Sequence, residues 1–441
     1  MPDDIRGLTL TAANAEAAAA FDHAVTGYLG MAVDTGERLK GIFAADPGMP
    51  MADVLKGYFF MLMAVPALKK KAEGILTGLG ERLSAATARE QQHAKAMDAW
   101  AHGRTDEALV LWETILLEFP RDVLALRLAH HGYFYRGDSQ NLRDVVARVI
   151  HAWEEDVPGY GFVMGMRAFG LEETHAYESA IDAGKTAVGH VAENPWAIHA
   201  VAHVYEMTDR PDDGLSWIAE NEPGWTAANN FRYHVWWHRA LMHLDLGEVD
   251  AVLALYDEAL WDPASDEYLD LCNDASLLLR LELHDVDVGD RWGALAEKCR
   301  GRISDHILTF IDAHFALAMA AVGGPVAAEA VESQRSYADA ATEDDNGVIS
   351  RDVGRPLAEA LVAYKHGEFG RAVDLISPIR YALPKIGGSH AQRDLFAMVL
   401  LDAAIRDGRT NLAKSLAAER LCRMPDNQWT RKAHGRAFSA A

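Results

Sequence analysis

The sequence predicts an all-α chain: a right-handed α-solenoid of degenerate helix–turn–helix repeats preceded by an N-terminal helical segment. Three observations predict it. Turn-like residues recur every 34 to 44 positions through most of the chain. No stretch sustains the period-two alternation of β-branched residues that a strand requires. Half of the 441 residues are apolar and 24% are charged, ordinary values for a soluble, packed protein.

Residues 1–88 read as an N-terminal helical segment packed on the solenoid. Thr11 is placed to cap a helix reaching Gly30, with Phe21, Val25, Tyr28 and Leu29 on its apolar stripe. Asp46-Pro-Gly-Met-Pro50 is a turn. Ala52 to Ala64 is apolar nearly all round, so it is expected to be buried, and a further helix runs from Pro66 to Leu79.

Residues 89–441 carry the repeat. Turns are expected at Gly103, Gly137, Leu171, Asp209, Gly247, Asp285, Gly323, Gly367 and Gly408. The first repeat is the clearest: Ala96, Gly103, Ala108, Trp112 and Pro120 follow the small–Gly–small–aromatic–Pro pattern of a tetratricopeptide-like hairpin. The small residues let paired helices approach, and the proline stops the second helix. Later repeats match less well and are read as having longer second helices. Thr342 to Arg351 is polar and loop-like.

Charge and cysteine usage narrow the function. A net charge of −23 excludes nucleic acid and anionic membrane as main partners. Lys69-Lys70-Lys71 reads as a solvated helix end. Cys272, Cys299 and Cys422 are too few and too scattered for a disulfide framework or a paired-cysteine metal site. Met1 to Leu10 lacks the apolar core of a signal peptide. The apolar run from Tyr58 to Ala67 falls short of the ~20 residues of a membrane span. A cytoplasmic protein is expected.

The candidate site centres on Trp196 to His238. His199, His203 and Glu206 stand at i, i+4 and i+7 and share one helix face; His234 and His238 repeat the i, i+4 spacing one repeat later. In a right-handed stack the first helix of each repeat lines the concave surface. That register turns Trp196, His199, His203, Glu206 and Met207 inward, with His234, Trp237 and Leu241 from the next repeat and His238 at the edge of the same face. Arg127, His131, Phe134 and Tyr135 join them, as do His93, Met97 and Trp100. The bland alternative is that a solenoid's inner surface is polar because it is wet. Trp112 and Trp236 read as core.

Several of these segments occur together in one family. His199-Ala-Val-Ala-His203-Val-Tyr-Glu206-Met, His234-Val-Trp-Trp-His238-Arg-Ala-Leu, Arg127-Leu-Ala-His130-His131, Gly165-Met-Arg-Ala-Phe-Gly-Leu-Glu-Glu173, Asp312-Ala-His314 and Gly387-Gly-Ser-His390-Ala-Gln392-Arg393-Asp394-Leu-Phe resemble the tetratricopeptide repeat protein 38 family. The resemblance covers nearly the whole chain, including Asp46-Pro-Gly-Met. It implies an all-α superhelix of degenerate repeats in a soluble protein and brings no activity or catalytic residue with it. The chain departs from the pattern at Val235, where Asn or Leu is expected, and at Leu171, where the turn lacks Gly.

Two chemistries suit the constellation. His199 and His203, completed by Glu206, His234 or His238, form a ligand set for a divalent metal (Zn, Mn or Fe) with a position left for water. The chain lacks the Glu after the first His that zincin proteases use. Alternatively His131 or His203 serves as a general base with Arg127 as an anion anchor. No serine or cysteine shows the pattern of an activated nucleophile. Ser389 to Gln392 is a capping box; His390 and Arg393 either fold over the groove mouth or, with Asp394, form a local ion pair. Asn273-Asp274 and His314 are further candidates. The leading expectation is a His/Trp/Arg-lined concave pocket for a small molecule or short peptide. A metal-dependent or acid–base enzyme of hydrolase type and a protein–protein scaffold stand as alternatives. The sequence leaves the ligand open, along with any homo-oligomer.

Overall fold

A computed structural model describes residues 1–341 and 343–439. The chain is all-α. Among the described residues the extended pairings are two isolated bridges, Asp3 with Thr9 and Ala32 with Ala228. Successive helices pair as tetratricopeptide-like hairpins. The first runs Ala88–Ala101 then Thr105–Glu118, the second Val123–Tyr135 then Ser139–Val149, the third Tyr160–Glu172 then Tyr177–His190. The pattern continues to His390–Arg406 with Thr410–Arg423. No helix among the described residues is long and apolar enough to cross a membrane.

One backbone device makes almost every hairpin. One or two residues past the first helix the chain takes a positive φ: Gly103, Gly137, Asp209, Gly247, Asp285, Gly323, Gly367 and Gly408 all do, as the sequence predicts. The next amide then reaches back to a carbonyl five residues earlier, as in Arg104 N to Ala99 O at 2.9 Å, Arg210 N to Tyr205 O at 2.9 Å and Arg409 N to Ala404 O at 3.0 Å. This closes orphan carbonyls at the helix end. The third hairpin corrects the sequence reading. Leu171 is helical, and the turn lies four residues on at His175, with φ 64° and Ala176 N bonded to Leu171 O at 2.9 Å. Gly and Asp tolerate this conformation and advertise it; a histidine there gives no signal.

The chain forms two compact units. The first comprises Met1–Val201, Asn221–Arg232 and Glu343–Asp345. Its N-terminal helix is Ala15–Leu29, capped by the Asn14 side chain and not by Thr11. Thr11 instead donates its amide and hydroxyl to the buried Glu90 carboxylate at 2.9 and 2.6 Å. Glu90 closes a capping box with Thr87 at the start of Ala88–Ala101, so the N-terminal segment is tied to that helix. Pro50–Leu62 is the expected buried helix, ended by Ala64 at φ 50°. The helix read from Pro66 to Leu79 is two, Pro66–Glu73 and Ile75–Leu79, joined at Gly74.

The second unit comprises Ala202–Glu220, Tyr233–Thr342 and Asn346–Ala441. Its longer period does not come from longer second helices. Val249–Leu255 and Arg291–Arg300 are short, and the extra residues lie in connections such as that from Ile379 to His390. The polar stretch read as a loop from Thr342 is helical over Asp345–Ile349 and continues as a wider turn through Ser350–Gly354; Thr342 itself lies outside the described residues.

Candidate functional site

The side chains expected on the concave inner surface are buried or half-buried. His203, Trp237 and His238 have no exposure, and Arg127, His199, His314, Trp196, Glu206 and Arg393 have under 8%. His131, His234 and His390 are half-buried. Arg127, His131, Trp196 and His199 belong to the first unit, and His203, Glu206, His234, Trp237, His238, His314, His390 and Arg393 to the second.

In the second unit His203 comes from the C-terminal half of Pro195–Met207, and His234 and His238 from successive turns of Phe231–Asp245. Each of the three offers a ring nitrogen within 4.8 Å of the others. Ring centroids of His203 and His238 are 4.3 Å apart, and those of His234 and His238 4.7 Å. Two of the rings are held from behind. Nδ1 of His238 hydrogen-bonds Glu206 Oε2 at 2.6 Å, and Nδ1 of His234 meets Asn273 Oδ1 at 3.0 Å. A ring whose Nδ1–H is engaged presents its lone pair at Nε2. Trp237 stacks on His234 with centroids 5.2 Å apart and planes 12° from parallel. Trp237 is thus the fully buried member of its pair; Trp236, read as core, is half-buried beside Arg239 at 5.1 Å.

Burial sets the electrostatics. It pushes His234 and His238 down to about 3, with His238 adding to the effect on His234 and Arg280 to that on His238. His203 is held well below its ordinary value by burial, then by the charges of His238, His234, His390 and Arg393. Neutral rings with available lone pairs are what a metal ion requires. Burial lifts the Glu206 carboxyl to about 8, against Arg280.

Behind Glu206 lies a cavity of about 30 Å³, room for one or two waters, lined among others by Asp245, Arg280, His284, Asp394 and Asn427. Arg280 was not foreseen. It follows Asn273 by two turns on Tyr268–Leu283, so the two share a face, and its place inside the apolar run Leu277 to Leu281 was the available signal. Asp394 lies on the same first turn as Arg393. It takes both nitrogens of Arg420, at 2.6 and 2.8 Å. Ser389 and Gln392 form the expected capping box, and Arg393 bonds the Gly388 carbonyl and His390 Nδ1, the latter at 3.2 Å. His314 turns to its own helix, with Nδ1 on Phe310 O at 2.8 Å, packed against Phe310 and Phe396.

In the first unit Arg127 lies over the Trp196 ring at 4.2 Å. Trp196 also packs on Phe169, Phe231 and His131, at 4.8, 5.6 and 5.7 Å. His199 sits against Phe169 at 5.4 Å and Phe231 at 5.0 Å. His131 Nδ1 meets the Tyr28 hydroxyl at 3.1 Å. His93, expected on the inner face, is a core residue: its Nε2 bonds Asp122 Oδ2 at 2.9 Å, which also holds Arg89 at 2.7 Å.

Helical hairpins closed by left-handed turns define an all-α repeat protein of tetratricopeptide type. No family model matches the chain. Among solved structures it is similar to the Cut9–Hcn1 hetero-tetramer of the APC/C, at 11% identity over 96% of this chain and 76% of that one, TM-score 0.43. It is similar also to the human IFIT1 dimer with m7Gppp-AAAA, at 14% identity over 87% and 89%, TM-score 0.39. A third is the P58(IPK) TPR domain, at 13% identity over 80% and 88%, TM-score 0.24. Likeness at this level concerns chain architecture alone and adds nothing to what the hairpins already show.

Proposed function

We propose that this chain is a helical-repeat binding protein whose second unit holds a divalent transition metal on His203, His234 and His238. The observation that carries the reading is the convergence of three imidazole nitrogens, two of the rings being fixed by Glu206 and Asn273 through their other nitrogen. Metal-ligating histidines nearly always donate their second nitrogen to a carboxylate or carbonyl, which sets the tautomer and the ring orientation. Glu206 serves here as that orienting group. Three protein ligands leave a fourth position for a small ligand. The reading includes membership of the tetratricopeptide repeat protein 38 family, supported by the ordered segments around His203, His238 and His390. It includes a reducing compartment such as the cytoplasm, supported by the free thiols of the buried Cys272 and Cys299.

The test is metal content after purification without chelator, with melting temperature measured on adding Zn²⁺, Mn²⁺ or Fe²⁺. About one ion per chain is expected, with a rise in melting temperature, since a ligand of the folded state stabilises it. His203→Ala and His238→Ala abolish both. A wild-type chain that takes up none of the three ions, with its melting unmoved, ends the proposal and leaves a protein–protein scaffold as the surviving reading.

A further inference from the structure

Arg127 is buried to 2% exposure, and its Nε and Nη2 have no hydrogen-bond partner. Among the described residues no carboxylate is paired with it; the groups that act on it are the Tyr28 hydroxyl, which is also its hydrogen-bond partner, and the Tyr135 hydroxyl. A buried guanidinium without a counter-charge is among the costliest arrangements a fold can hold. Two further groups beside it are unsatisfied. The indole Nε1 of Trp196, whose ring underlies the guanidinium, has no acceptor. His130 binds the Leu142 carbonyl through Nδ1 at 3.2 Å, and its Nε2 has no partner.

The two open nitrogens of Arg127 form one edge of the guanidinium fork. That edge matches the spacing of two oxygens on one carbon, the bidentate arrangement typical of Arg with carboxylate. The surroundings choose among anions. His130 and His131 are kept neutral by burial and by Arg127 itself, so the site carries one positive charge. A phosphate dianion would be half-neutralised; a monocarboxylate is matched. The walls are aromatic: Trp196, Phe169 and Phe231 pack in one cluster.

We infer that the first unit contains a buried carboxylate-binding site, in which Arg127 Nε and Nη2 and the Trp196 indole N–H receive the carboxylate of a small organic acid whose apolar body lies against Trp196, Phe169 and Phe231. The site is independent of the histidines of the second unit and stands whether or not they bind metal.

The experiment uses the full chain with sodium benzoate, sodium acetate and inorganic phosphate as probes. Melting temperature and tryptophan fluorescence are followed at constant ionic strength. Benzoate raises the wild-type melting temperature by a few degrees and saturates; acetate does so less; phosphate does not. Arg127→Met melts at or above the wild type in carboxylate-free buffer, because the unpaired charge is gone, and loses the response to benzoate. Arg127→Lys keeps the charge without the fork, and its apparent affinity for benzoate falls at least about tenfold; this variant decides the matter if Arg127→Met fails to fold. Trp196→Phe keeps the ring without the donor and weakens the response. The inference is overturned if neither carboxylate gives a saturable shift in the wild type, if phosphate gives the larger one, or if Arg127→Lys responds as the wild type does.

Discussion

Glu206 and His238, on the first helices of consecutive hairpins, share a hydrogen bond of 2.6 Å with 7% and 0% of their side chains exposed. The carboxyl group fixes which nitrogen of the ring faces the other two histidines. Glu206→Gln keeps the shape and an acceptor but weakens the hold. It is expected to lower Zn²⁺ affinity about 10- to 100-fold, with melting temperature in the metal-free state little changed. Competition against a chromogenic chelator measures it. An unchanged affinity would remove Glu206 from its orienting role.

Asp122 joins the helices Ala88–Ala101 and Val123–Tyr135 of the first unit. Its carboxylate receives Arg89 and His93 and caps Val123–Tyr135 through the Ala125 amide at 2.9 Å. Burial opposes its ionisation, but His93 and Arg89 outweigh that and hold its carboxyl below the usual range. Asp122→Ala strands a buried guanidinium and removes the cap, a loss of about 3–5 kcal/mol. Urea unfolding of the variant tests this, and a loss under 1 kcal/mol would contradict it.

Asp245 makes stability depend on pH in the less common direction. Burial and the neighbouring Glu206 lift its carboxyl to about 7, although Asn427 donates to it at 2.7 Å. The folded chain therefore binds a proton that the unfolded chain has released. That contribution is fully present below the ordinary carboxylate value near 4 and is lost as pH rises through about 7. Asp245→Asn, which keeps the acceptor for Asn427, should match the wild type at pH 4 and exceed its unfolding stability at pH 8. A gap that narrows as pH rises would reverse the assignment.

Gly170 sits where the helix Tyr160–Glu172 touches the backbone of Ser139–Val149. A Cβ added there would lie 2.6 Å from Arg143 Cα. Backbone cannot swing aside as a side chain can. Gly170→Ala is expected to destabilise by about 1–3 kcal/mol despite alanine's better helix propensity, read as a lower midpoint in urea. Gly41→Ala, which meets nothing within 4 Å, is the control.

The hairpins were readable because their turns demand residues that betray themselves. Gly and Asp accept positive φ, and eight of the expected positions adopt it; His175 adopts it too, and only the closing bond from Ala176 to Leu171 reveals why. The spacing of His234 and His238 was readable for a similar reason, since i and i+4 share a helix face whatever the helix packs against. Thr11 was misread because two residues that can cap lie close together, and Glu90, distant in sequence, engages Thr11.

By itself, then, the sequence determined the helices, nearly all of their turns, and the presence of imidazoles at one-turn spacing, because each depends on neighbours within a few residues. The tertiary structure alone decided that these rings are buried rather than wet. It also decided that Glu206 lies behind His238, that Asn273 lies behind His234, and that Arg127 has tyrosines and a tryptophan where a carboxylate is usual. Desolvation and pairing are sums over everything that packs around a group, and most of what packs around these comes from other repeats.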